Sequence, residues 1–240
     1  MWRFQKDLSE DFRLIIPDLR GHGSSIPLQE PFTLEALVAD LCNLLERLDL
    51  QRAIIVGWSL GSQVALAAYA HLRERVTGLV LVGGTARFIL GEGYPHGHPA
   101  NEIRGMGLRL KRNYEGTMGE FFRSMFAEGE ITAEQEKRIA SDVLAKGGLP
   151  EPAIAHAGLA ILSATDLRML LPEIACPVMV IHGDKDSVCP PGAGRYLAEN
   201  LPKARLLELA GVGHAPPLSR PDQFNASLRA FLHEDLNGRY

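Results

Sequence analysis

Three residue types placed far apart in this chain could together perform acyl transfer: a serine, a histidine and an aspartate. Ser59 sits in Gly57-Trp58-Ser59-Leu60-Gly61, between the β-branched run Ala53-Ile54-Ile55-Val56 and the helix-forming segment Ser62 to Ala70. Strand, glycine turn carrying a serine, helix is the context in which a serine oxygen is thrust out of the backbone as a nucleophile. Glycines two before and two after the serine let the strand and helix backbones approach without Cβ clashes. The serine oxygen also lies near a helix N-terminus, where free N–H groups and the dipole favour an oxyanion. The plain alternative is a turn with a solvent-facing serine.

A serine hydroxyl needs a base, and the base needs an orienting acid. Of the histidines, His214 is best presented, in the rigid loop Gly211-Val212-Gly213-His214-Ala215-Pro216-Pro217 after the last apolar strand. His22 precedes the serine turn, His182 ends a strand, His71 lies on the helix after Ser59, and His96, His98 and His156 lie in a region without strands. The acid is expected after the penultimate strand, in His182-Gly183-Asp184-Lys185-Asp186. Asp184 stands at the strand end, where carboxylates commonly cap turns. Asp186, two residues on, is better placed to reach His214, and Asp184 stays the alternative. His96-Gly97-His98 lacks a third ligand at helical spacing, so no metal is expected there; a mobile loop is.

The elements that must position these residues follow the same chain. Met1 to Ser9 reads as the tail of a helix, and Phe12-Arg13-Leu14-Ile15-Ile16-Pro17 as a strand. Thr33 caps a helix with Leu34, Leu37, Val38, Leu41, Leu44, Leu45 and Leu48 on one face. Strands are expected at Ala53–Val56, Val76–Val82, Pro177–Gly183 and Ala204–Leu209, and helices at Gly192–Asn200 and Pro221–Leu232. The near-continuous apolar run Val76–Val82 marks a strand buried on both faces of a parallel sheet. Residues 85–165 hold no convincing strand and read as helices near 103–114, 117–128, 132–146 and 151–163. The expected organisation is an α/β core of residues 1–84 and 166–240, a mostly parallel sheet with helices on both faces, and a helical lid over 85–165.

With 240 residues, 46% hydrophobic and a net charge of −4, the chain reads as a soluble domain without a field for nucleic acid. Three scattered cysteines, Cys42, Cys176 and Cys189, form no disulfide framework and fit a reducing cytoplasm. The N-terminus has no apolar signal region, and no run reaches the ~18 apolar residues of a membrane span.

Four pieces in this order resemble the α/β-hydrolase-fold carboxylesterases over nearly the whole chain: Asp18-Leu19-Arg20-Gly21-His22-Gly23-Ser24, the Ser59 turn, His182-Gly183-Asp184-Lys185-Asp186 and Gly213-His214-Ala215-Pro216. Within that family Trp58, the His214-Ala215-Pro216 triplet and Leu159 to Arg168 resemble the BioH-type pimeloyl-acyl-carrier-protein methyl ester esterases of biotin synthesis. The resemblance implies that Ser59 attacks a methyl ester carbonyl, His214 moves the proton to methanol, and Asp186 orients His214. It implies that the Leu60 N–H forms half of the oxyanion hole. No cofactor is implied, and a monomer is the default. Related lactonases, C–C hydrolases and perhydrolases share the same triad. A non-catalytic relative of the fold is the alternative from another class.

The lid helices carry Phe121, Phe122, Met125 and Phe126, which suit a flexible acyl chain or simple packing. With Trp58, the set Phe122, Met125 and Phe126 is the expected substrate lining. Arg109, Lys111, Arg112 and Arg123, with Arg104 nearby, could dock an acidic carrier protein, although Glu115, Glu120 and Glu128 interleave with them. One departure stands out: no His-Gly pair, which supplies the family's second oxyanion donor, precedes Asp18. The strands around that pair are also missing, including the one between the Phe12 and Ala53 strands. The expectation is a start site placed too far downstream, or a sheet re-paired across the gap, with poor folding or low activity of the chain as given.

Overall fold

The computed structural model describes residues 2–25, 31–144 and 148–235. Met1 and the end of the expected 132–146 helix lie outside the described residues. Among the described residues four strands form one parallel sheet: β1 (Ala53–Trp58), β2 (Val76–Val82), β3 (Val178–Gly183) and β4 (Ala204–Leu209), in spatial order β1-β2-β3-β4. The two central strands are buried on both faces, and their alternate residues go to opposite sides as a period of two requires. Leu79, Leu81, Val178 and Val180 face one core cluster. Val80, Val82, Met179 and Ile181 face the other.

Helices cover both faces. The first core is closed by α1 (Leu34–Arg47) and α2 (Leu60–Leu72), whose apolar side chains pack with β1 and β2. Thr33 caps α1 by accepting the Ala36 N–H at 3.2 Å, so the capping residue read in the sequence acts as one. The second core is closed by the last long helix and a short 3-10 helix, Arg3–Glu10, whose Leu8 is buried. Trp2 stacks obliquely on Phe224 at 6.2 Å.

The expected strand over Phe12–Pro17 does not form. Residues 13–19 belong to no helix and no ladder among the described residues, and Ile15 and Ile16 are 37% and 46% exposed. A strand is stabilised by its neighbours' hydrogen bonds, and among the described residues β1 pairs only with β2. Among the described residues the sheet is therefore not re-paired across the gap, and Leu14 contributes only partial packing to the second core.

Between β2 and β3 the described residues form four α-helices, α3 (Ala100–Arg112), α4 (Tyr114–Ser124), α5 (Ala133–Leu144) and α6 (Pro152–Ala164), and then a 3-10 helix, Arg168–Glu173. The ends of this insertion are tied together by Asp166, which takes Arg87 and Arg168 at 2.8 Å each. The hydrogen bonds from Arg168 hold the Asp166 carboxyl below its usual pKa, against the opposing pull of desolvation. The 91–99 loop, expected to be mobile, is anchored: Tyr94 is buried with its hydroxyl 2.8 Å from Thr85 Oγ1, and His98 Nε2–H donates to the Val188 carbonyl at 2.8 Å. Burial pushes the Tyr94 phenol up to about 12, which keeps it a neutral partner. After β3 come α7 (Pro191–Asn200), then β4, a single-turn helix α8 (Pro216–Ser219) and α9 (Pro221–Ala230).

Candidate active site

Ser59, Asp186 and His214 follow β1, β3 and β4 respectively, so a parallel sheet brings all three to its carboxyl edge. Ser59 has φ 54° and ψ −120°, a region that ordinary residues avoid. The sheet holds it there: its N–H donates to the Val82 carbonyl at 2.9 Å, and its own carbonyl accepts the Ser62 hydroxyl at 2.6 Å. The glycines on either side of the Ser59 turn, Gly57 and Gly61, differ in what they do. A Cβ on Gly57 would lie 2.4 Å from the Gly61 carbonyl oxygen, whereas a Cβ on Gly61 would meet nothing within 4 Å. Close approach of strand and helix thus requires glycine at 57 only.

The three side chains form one hydrogen-bonded line. His214 Nε2 is 2.9 Å from Ser59 Oγ, and His214 Nδ1 is 2.8 Å from Asp186 Oδ2. A carboxylate accepts, so Nδ1 carries a proton and Nε2 presents its lone pair to the serine hydroxyl. Asp186 Oδ1 accepts the N–H groups of Val188 at 2.9 Å and Cys189 at 2.8 Å, which fixes the carboxylate plane. Asp184 does different work: its Oδ1 accepts the Gly211 N–H at 2.7 Å, capping the turn before the histidine loop. Of the two aspartates only Asp186 reaches His214.

Two residues around this line were not singled out for it from sequence. His182 is fully buried behind Asp186, with Nε2 2.7 Å from the Cys189 carbonyl and 3.3 Å from Asp186 Oδ2. Burial pushes the His182 pKa down, outweighing the attraction of Asp186, so the ring is neutral with its proton on Nε2. Burial likewise pushes the Cys189 thiol well up and leaves it inert. Gly83, at φ 50°, packs under the base: a Cβ there would lie 2.9 Å from His214 Nδ1. Strand-end histidine and glycine are too common as types for sequence to mark these roles.

Trp58 donates its indole N–H to the His214 carbonyl at 2.8 Å, with the two rings 5.3 Å apart. Phe122, Met125 and Phe126 gather in the same apolar cluster as Trp58 and Ala215, and the Phe122 and Phe126 rings meet edge to face at 5.5 Å. The expected substrate-lining residues are therefore neighbours, beside the triad. Leu60 opens α2, so its N–H belongs to the first helical turn, which has no intrahelical acceptor. Arg109, Lys111, Arg112 and Arg123 are exposed on α3 and α4, together with Glu115 and Glu120.

A parallel sheet covered on both faces, a strained serine at a strand-to-helix turn, and acid and base in the order Ser, Asp, His define the hydrolase class. The chain belongs to the alpha/beta hydrolase fold family, whose sequence pattern matches residues 1–221. Among curated relatives, a pimeloyl-acyl-carrier-protein methyl ester esterase from Nitrosomonas europaea is 36% identical over 221 residues, covering 91% of this chain and 84% of the relative. Among solved structures, an esterase from Exiguobacterium antarcticum superposes with a TM-score of 0.88 at 25% identity, covering 96% of this chain and 86% of its own. An enol-lactonase from Burkholderia xenovorans superposes with a TM-score of 0.83 at 26% identity, covering 97% and 86%. No helix among the described residues is long and apolar enough to cross a membrane.

Proposed function

We propose that this chain is a serine carboxylesterase acting on the methyl ester of pimeloyl-acyl-carrier protein. The observation that carries the esterase reading is the unbroken line from Asp186 Oδ2 through His214 to Ser59 Oγ, at 2.8 and 2.9 Å. His214 Nε2 takes the Ser59 proton as Oγ attacks the ester carbonyl. The Leu60 N–H faces the oxyanion, and His214 returns the proton to the leaving methanol. Water then repeats the sequence to release the acid. Asp186 keeps the imidazole in the productive tautomer and offsets the charge it acquires.

The substrate is carried over from the curated relatives, and features of the insertion support it. Helices α3–α6 serve as the lid, with Phe122, Met125 and Phe126 beside Trp58 as an adaptable apolar wall for an aliphatic chain. Exposed Arg109, Lys111, Arg112 and Arg123 on α3 and α4 offer positive charge to an acidic carrier protein.

The test is methanol release from synthetic pimeloyl-acyl-carrier-protein methyl ester by the purified chain and its Ser59→Ala variant, beside the free pimeloyl methyl ester. Ser59-dependent release that is faster from the carrier-bound ester supports the reading. Ser59-dependent hydrolysis of an enol-lactone without turnover of the methyl ester would replace it with a lactonase.

A further inference from the structure

The loop that carries His214 is gripped from a second side, by the insertion. Glu130 follows α4 and is only 6% exposed. Its Oε2 accepts two backbone N–H groups, from Ala127 at 2.6 Å within its own turn and from Gly213 at 2.8 Å in the histidine loop. Gly213 directly precedes His214, whose own N–H donates to the Met125 carbonyl at 2.7 Å. Arg220 Nη1 donates to the Glu130 carbonyl at 3.0 Å. The backbones touch: a Cβ on Gly213 would lie 2.6 Å from the Met125 carbonyl oxygen and 3.0 Å from Phe126 Cα.

Burying a carboxylate is costly unless its oxygens are hydrogen-bonded. Here Oε2 makes both bonds and Oε1 is buried without a partner. A side chain that only filled space would be better served by an apolar residue. What a glutamate does here that an apolar residue cannot is accept two backbone N–H groups at once, that of Ala127 in its own turn and that of Gly213 in the histidine loop.

We propose that Glu130 is a positioning residue for the catalytic histidine. It fastens the Met125–Phe126 segment of the insertion to the Gly213–His214 backbone, so that the apolar wall and the base hold one geometry. This rests on Ser59 and His214 acting as nucleophile and base, and not on which ester is cleaved.

The test uses the full chain with Glu130→Ala and Glu130→Gln. Three quantities are read: the rate at which a fluorophosphonate labels Ser59, kcat and KM for p-nitrophenyl butyrate, and the low-field proton resonance of His214 Nδ1–H. Glu130→Ala is expected to lower kcat and labelling about 10-fold, to change KM by less than about 3-fold, and to move the His214 resonance. Glu130→Gln, whose amide oxygen can still accept both N–H groups, is expected to recover to within about 3-fold of the parent. A folded Glu130→Ala protein with the parent's kcat and resonance overturns the proposal, and so does a Gln variant as impaired as Ala. If the alanine protein does not fold, Glu130→Asp replaces it, because its carboxylate is drawn back by one methylene. Loss in Asp with recovery in Gln supports the role, and equal rates overturn it. A parent chain whose Ser59 takes up no probe refutes the serine-hydrolase reading instead, and the His214 resonance then decides Glu130 alone.

Discussion

The indole N–H of Trp58 donates to the carbonyl of His214 at 2.8 Å, so the residue before the proposed nucleophile holds the proposed base. Ser59 and His214 are far apart in sequence and follow different strands, and this bond ties their segments together independently of the triad itself. Trp58→Phe keeps an aromatic ring against His214 and deletes the donor. A lost neutral hydrogen bond is worth about 1 kcal/mol, which corresponds to roughly a 5-fold fall in kcat. Steady-state kinetics on p-nitrophenyl butyrate checks this. A KM rise at unchanged kcat would place Trp58 in the acyl site alone.

Asp186→Asn should keep the fold and lose the chemistry. The carboxamide introduced by this change can still offer an oxygen to the Val188 and Cys189 N–H groups, which turns its NH2 toward His214 Nδ1. Nδ1 must then give up its proton, Nε2 becomes the donor, and the serine loses its base. In serine proteases the corresponding change costs roughly 10⁴-fold in kcat, and a loss of that order is expected here with a thermal midpoint close to the parent's. Asp184→Asn leaves an oxygen for the Gly211 N–H and should retain kcat within about 3-fold, since one cap at an exposed turn is worth of order 1 kcal/mol.

The two glycines flanking the Ser59 turn separate under substitution. Gly57→Ala drives a methyl group into the Gly61 carbonyl and the Ser62 Cα, backbone atoms that cannot swing aside. It should cost at least about 2 kcal/mol, in the range of overpacked cores. Gly61→Ala meets open space on a helix and should hold or slightly raise stability, by up to about 1 kcal/mol. Thermal unfolding of the two variants measures the difference directly.

What could be read ahead of the structure follows from where periodicity and covalent neighbourhood carry the information. Val76–Val82 and Pro177–Gly183 are apolar on both faces, and that pattern admits little besides a buried parallel strand. Ser59 and His214 were legible because glycine-rich turns at strand ends leave few other reasons for such residues. Phe12–Pro17 has the same local pattern as a strand, yet strand formation depends on a partner, which local sequence does not encode. Glu130 and His182 were missed for a related reason. Each acts through a contact with a residue distant in the chain or hidden by the fold, Gly213 for one and Asp186 for the other. A buried glutamate and a solvated one look alike when read singly.

His182 sets an acid limit on stability. Burial lowers its pKa in the folded chain below the ordinary histidine value of 6.5. The groups facing it are Asp186, whose Oδ2 is 3.3 Å from Nε2, and the more distant Glu208, both favouring protonation, with His214 opposing it. The net shift is downward because desolvation is the largest contribution. Well above pH 6.5 the ring is neutral in both folded and unfolded chains and contributes no pH dependence. As pH falls below that value the unfolded chain binds a proton that the folded chain refuses, so stability declines until the depressed folded pKa is reached and then levels off. Thermal midpoints between about pH 7.5 and about pH 5 should therefore fall for the parent, and less steeply for His182→Gln. The glutamine can still donate to the Cys189 carbonyl and does not titrate. Parallel slopes for the two proteins would assign the acid sensitivity to other groups.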